Sequence, residues 1–145
     1  MNQADGAAFA PSGANFTMSI LHAARAIEDR IEKALDTVGL SMAKHSALTQ
    51  LHDAGEPLTL SELAERLSCV RSNITQLVDR LEGDGLVRRV ADPQDRRSVR
   101  AELTELGAEK QAAGAAELAK VQGEISDRLA ASDIGGLESA LAQIV

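Results

Sequence analysis

The chain has 145 residues, 44% hydrophobic and 26% charged, with a formal net charge of −7, enough apolar material for one domain with its own core and too acidic for indiscriminate binding to polyanions. Two Phe and no Trp or Tyr leave a core of Leu, Ile, Val and Ala and all but exclude base stacking on aromatic platforms. A single cysteine excludes an intrachain disulfide, and with no basic, apolar leader and no run near the roughly 18 apolar residues of a membrane span, a soluble cytoplasmic protein is expected.

Residues 1–14 are small and polar, with Gly and Pro, and read as a flexible N-terminal arm. From Ile20, the positions Ala23, Ala24, Ile27, Ile31 and Leu35 keep helical spacing, and a first helix should end near Gly39. Ser41 is placed to cap a second helix containing Leu48 and Leu51, which stops before Gly55 and Pro57. Thr59 and Glu62 have the spacing of a capping box, followed by an apolar stripe of Leu60, Leu63, Ala64 and Leu67. A second stripe, Ile74, Leu77, Val78 and Leu81, comes after a short turn, which is the helix-turn-helix pattern. Gly83 and Gly85 close that helix. Two strands, around Leu86–Val90 and Ser98–Leu103, flank a turn of Ala91, Asp92, Pro93, Gln94 and Asp95. Past Thr104 a long Ala-rich helix carries Leu118, Val121, Ile125 and Leu129. Ser132 or Asp133 can cap a last one with Leu137, Leu141 and Ile144.

Positive charge gathers in the hairpin. Residues 86–100 hold five arginines against two aspartates, a net +3, while residues 101–145 hold three basic against eight acidic groups. Guanidinium groups on a narrow loop can enter a minor groove or grip phosphates at two points. Asp92 or Asp95 is expected to pair with an arginine and fix its direction. A charged hairpin that only keeps a sheet edge soluble is the plainer alternative. On the preceding helix, Ser72, Gln76 and Asp79 point away from buried Ile74, with Asn73 and Arg80 on one side and Thr75 on the other. Asn and Gln can pair with adenine edges in a major groove. Taken alone such a face is only a solvated surface; a basic hairpin directly after a helix-turn-helix favours a winged helix.

The stretch "LSELAERLSCVRSNITQLVDRLEGDGLVRRVADPQDRRSVRAELTELG" resembles the core of the MarR family of winged helix-turn-helix transcriptional regulators, "LVDRLE" and "ADPQDRRSVRAELT" being its most specific parts. The resemblance covers residues 15–145 in layout and about 59–107 in motifs. It implies a mainly α fold: a winged-helix core over about 41–103 with a two-stranded β wing, and dimerisation helices over about 15–38 and 104–145. It further implies a homodimer on a pseudo-palindromic duplex, repression of nearby genes, and release by a small-molecule effector or an oxidant. By the resemblance, DNA contacts fall on Arg71, Ser72, Asn73, Thr75, Gln76 and Arg80 of the recognition helix and on Arg96 and Arg97 of the wing, with Asp95 positioning the wing. Two positions depart from the family pattern. Val70 stands where a capping Ser is usual, which shifts that duty to Ser68 or Ser72, and Gln76 replaces a basic residue. The effector pocket would lie among the first two helices and the start of the fifth; without Trp or Tyr there, either it is lined by aliphatic groups or no tightly binding pocket exists.

Cys69, in the turn of the helix-turn-helix, reads as a small apolar residue, with redox sensing as the alternative. His22, His45 and His52 have no Cys or carboxylate constellation at ligand spacing, so neither a metal nor any other cofactor is expected. No nucleophile–base pair or phosphate-cradling Gly loop is present, and the chain is not expected to be an enzyme. A winged-helix protein-interaction module, or a regulator with weak or lost DNA binding, remains as the second function class.

Overall fold

The computed structural model describes residues 13–68 and 71–145, with side-chain surroundings given for 15–68 and 73–145. The elements run α1 (Gly13–Asp36), α2 (Met42–Ala54), β1 (Leu58–Thr59), α3 (Leu60–Arg66), α4 (Arg71–Gly83), β2 (Val87–Ala91), β3 (Val99–Leu103), α5 (Glu105–Arg128) and α6 (Ile134–Leu141). The expected N-terminal arm lies outside the described residues except for 13 and 14, which already belong to α1. Cys69 and Val70 also lie outside them, as do the side chains of Arg71 and Ser72.

Side-chain caps set most of the boundaries. Ser41, Thr104 and Asp133 each accept a backbone N–H of the first turn of α2, α5 and α6, from Lys44, Gly107 and Gly136. At α3 both halves of the capping box are made: Glu62 N donates to Thr59 Oγ1 at 3.1 Å, and Thr59 N donates to Glu62 Oε2 at 2.8 Å. The same bond from Thr59 N is the main reason that the Glu62 carboxyl is held below its usual range. Ser68 ends α3 with φ +52°, a left-handed conformation that a residue with a Cβ adopts at a cost of roughly 1 kcal/mol.

Leu35, Leu48, Leu63, Ile74, Val78, Leu81 and Val87 are fully buried. They come from α1, α2, α3, α4 and β2, so a single core joins the helix-turn-helix to the hairpin and to the end of α1. The sheet has three strands rather than the two expected, in the order β1-β3-β2 and antiparallel throughout. β1 is only two residues long and exists by pairing with β3, Leu58 opposite Ala101 and Thr59 opposite Arg100. It ties the entrance of α3 to the base of the wing.

Two glycines of α5 allow close approach. At Gly107 a Cβ would fall 2.0 Å from the Leu86 carbonyl oxygen, so only glycine lets the helix start against the α4–β2 turn. Three hydrogen bonds hold the same junction: Thr104 N to Leu86 O at 3.1 Å, Thr104 Oγ1 to Gly85 O at 2.7 Å, and Gly107 N to Thr104 Oγ1 at 3.0 Å. At Gly114 a Cβ would fall 2.5 Å from His45 Nδ1, so the helix carries a notch into which the imidazole of α2 fits. His45 is 7% exposed, and burial lowers its pKa from 6.5. Its Nδ1 has no hydrogen-bond partner among the described residues, while Nε2 lies 3.5 Å from Thr49 Oγ1, to which Gln111 Nε2 donates at 3.4 Å.

Candidate nucleic-acid interface

α4 buries the expected face. Ile74, Val78 and Leu81 have no exposure and Leu77 has 9%, which leaves Asn73, Thr75, Gln76, Asp79 and Arg80 outside. The face therefore combines two amides, a hydroxyl and a guanidinium with one carboxylate. Arg71 and Ser72 sit in the first turn of the same helix.

The hairpin divides its arginines into two sets. Arg88 pairs with Glu102 across the β2–β3 ladder. Arg89 reaches back to α4, to Asp79 at 2.5 Å and Glu82 at 2.9 Å. Arg100 donates to the Pro57 carbonyl at 3.0 Å and pairs with Asp92 at 3.2 Å and Glu62 at 3.5 Å. Hydrogen bonding raises the pKa of Arg88, chiefly from Glu102, and of Arg89, chiefly from Asp79. Arg96 and Arg97, at the exposed tip, form the other set. Among the described residues, no carboxylate engages either guanidinium.

Both aspartates of the turn act, by different routes. Asp92 is 8% exposed; its Oδ1 accepts the Gln94 N–H at 3.0 Å while its Oδ2 faces Arg100. The Gln94 bond is the main reason that its carboxyl lies below the usual range; burial opposes it and Arg100 adds to it. Asp95 Oδ1 accepts the backbone N–H of Arg97 at 3.0 Å, and Ser98 N donates to Asp95 O at 3.0 Å. Asp95 thus folds the chain at Arg97 through the main chain and does not hold its guanidinium. Arg97 lines a cleft together with Thr59, Leu60 and Ser61, at the start of α3.

Elsewhere, a groove between α1, α5 and α6 is lined by Ile27, Ile31, Leu118, Val121, Ile125, Leu129, Leu137 and Leu141, and Leu137 and Leu141 remain about 40% exposed. A second cleft is lined by Glu32, Met42, Ala43, Ser46, Leu67 and Leu77, from α1, α2, the end of α3 and α4. It contains no residue of α5, whose first half is closed against α2 by the His45 notch and against the α1–α2 turn by Lys110 Nζ on the Val38 carbonyl at 2.8 Å. No group of His, Cys, Asp and Glu suited to a metal occurs among the described residues, and no described helix is long and apolar enough to cross a membrane.

The MarR family model matches residues 40–99. The chain is 30% identical to AbsC, a MarR family transcriptional regulator from Streptomyces coelicolor, across 92% of this chain and 93% of that one, with a TM-score of 0.78. The chain belongs to the MarR family. A mutant MarR from E. coli, solved in complex with operator DNA, shares the fold at a TM-score of 0.78 and 24% identity, over 90% of this chain and 93% of that one. The regulator PrsX of Escherichia coli is 33% identical over 88 residues, which is 60% of this chain and 53% of PrsX. The chain spans about half the length of the curated relatives it matches. On this MarR fold, α3 and α4 form the helix-turn-helix, β2 and β3 the wing, and the charged tip and polar α4 face are the two exposed features the family core supplies here.

The MarR motif locates the hairpin and α4, but not the division among the arginines. That division depends on Glu102 and Asp92, which belong to the hairpin itself, and on Asp79, Glu82 and Glu62, which become neighbours of the strands only through the tertiary fold. The one sequence signal was the excess of arginines over turn aspartates.

Proposed function

We propose that the protein is a sequence-specific duplex-DNA-binding transcriptional regulator that acts in the cytoplasm as a homodimer. The observation that carries the reading is the state of the Arg96 and Arg97 guanidiniums at the wing tip, unpaired among the described residues, beside three arginines already engaged by carboxylates. Two free forks on a rigid turn suit the negative potential of a minor groove and its phosphate edges. Asn73 and Gln76, with Arg71, Ser72, Thr75 and Arg80, then face a major groove, and two recognition helices meet half-sites about 10 base pairs apart. The groove of α1, α5 and α6 supports dimerisation, since exposed Leu137 and Leu141 gain cover from a second copy. The cleft around Met42, Leu67 and Leu77 is the place for a small apolar effector, and repression with release by that ligand is the mode of control we favour.

The test is a gel shift on the DNA upstream of the protein's own gene, run as a salt series. Arg97→Ala should weaken binding to every duplex and lower the salt slope by about one per wing. Arg88→Ala should leave the slope unchanged, because Glu102 already holds that side chain. An unaltered slope in Arg97→Ala would remove the wing from the interface. Overall acidity, with Gln76 in place of a cation, favours a protein-interaction module as the second reading; failure of the wild type to shift any duplex would support it.

A further inference from the structure

On the exposed face of α4, one residue does not suit a nucleic-acid interface. Asp79 lies three positions from Gln76, on the same exposed helix face, and its side chain is 59% exposed. Glu82 follows one turn later, 41% exposed. Two carboxylates on a helix that approaches phosphates would repel them.

Arg89 meets both. It comes from β2, outside the helix. Its Nη2 reaches Asp79 Oδ1 at 2.5 Å and its Nη1 reaches Glu82 Oε1 at 2.9 Å, while its backbone N donates to Glu82 Oε2 at 3.0 Å. Both carboxylate oxygens of Glu82 are therefore held by Arg89, and the other arm of the guanidinium is left for Asp79. The guanidinium side chain is 27% exposed and both terminal nitrogens are engaged, unlike those of Arg96 and Arg97.

We propose that Arg89 is a positioning residue for DNA recognition, which draws the Asp79 and Glu82 carboxylates toward β2 and cancels negative charge that α4 would otherwise turn to the phosphate backbone. The proposal rests on the DNA-binding reading above. Arg89 itself touches no phosphate; it acts through the two acids. A lysine at this position could satisfy one carboxylate but not both, because an ammonium lacks the planar fork.

The test is a double-mutant cycle with a duplex that the wild-type protein selects from a randomised pool, read by fluorescence anisotropy at low salt, with a thermal midpoint for each variant. Arg89→Gln should weaken binding about tenfold, and Asp79→Asn in the wild-type background should change it less than about twofold. Asp79→Asn added to Arg89→Gln should recover about threefold or more of the loss, and Arg89→Lys should lie between wild type and Arg89→Gln. Equal gains from Asp79→Asn in both backgrounds would make Arg89 a direct phosphate contact. No gain from it in the Arg89→Gln background would make Arg89 a structural staple. Either result overturns the proposal. If Arg89→Gln does not fold, the cycle is run on Arg89→Lys, where the same coupling must appear in reduced form. A wild-type chain that selects no duplex overturns the DNA-binding reading, and the proposal with it; selection without coupling overturns the proposal alone.

Discussion

Replacing Gly114 by alanine sets two known effects against each other. Alanine in a helix interior is favoured over glycine by about 1 kcal/mol. The added Cβ, however, would lie 2.5 Å from His45 Nδ1, 3.0 Å from His45 Cε1 and 3.1 Å from Leu40 Cδ1, each inside contact distance. His45 is 7% exposed and Leu40 4%, so neither can swing into solvent without parting α2 from α5. Overpacking of this kind costs about 1–3 kcal/mol, and the ring contact places the site toward the upper end. The expected net result is a loss of about 1–2 kcal/mol, seen as a lower urea midpoint at a fixed protomer concentration and a Tm lower by roughly 5 °C. Gly123 on the same helix is the control: no neighbouring group lies within 4 Å of the place a Cβ would take, and Gly123→Ala should stabilise by about 1 kcal/mol. A Gly114→Ala variant as stable as wild type would mean that the notch is not tight and that the imidazole is not held by it.

Burial lowers the His45 pKa below 6.5, so the unfolded chain takes up that proton first. The stability it contributes is full above about pH 6.5 and is lost as pH falls from there through the lowered folded value. Urea midpoints of the wild type should therefore drop between about pH 7.5 and about pH 5.5, and His45→Gln should drop less; equal drops would assign the acid sensitivity elsewhere. Thr59→Ala removes the acceptor of the capping box and should cost about 1 kcal/mol by urea denaturation, with no change expected if α3 is held by packing alone. Ser68→Gly should raise stability by roughly 0.5–1 kcal/mol by relieving the left-handed backbone, and a lower midpoint would show that the serine side chain contributes more than the strain.

The local signals in this sequence were strong. Ser41, Thr59 and Asp133 cap the helices that begin at them, and the Ile74–Leu81 stripe is the buried face of α4, because caps and periodicity act within a few residues. α1 begins at Gly13, earlier than the stripe from Ile20 suggested, since its first turns are exposed and need no apolar face. β1 was not foreseen: two residues have no period, and only pairing with β3 defines them as a strand. At the wing, the turn and its aspartates were legible. Of the two turn aspartates, either of which was expected to pair with an arginine, Asp92 takes the Arg100 guanidinium, a choice set by how β3 lies beside Pro57, while Asp95 takes the Arg97 backbone amide. His45 gave no sign of its notch, because Gly114 is 69 positions away.

The junction at Thr104 and Gly107 has a mechanical consequence. With Leu103 ending β3 and Glu105 starting α5, no slack separates the wing strand from a helix of 24 residues. Such a helix is about 36 Å long. A tilt of about 5° at its fixed base would carry its far end through about 3 Å, by the lever arm of that length. A slight change of angle at the wing is thereby magnified at α6, and in the reverse direction a shift at α6 between the two copies of the proposed dimer would re-aim the wing without any flexible joint to absorb it.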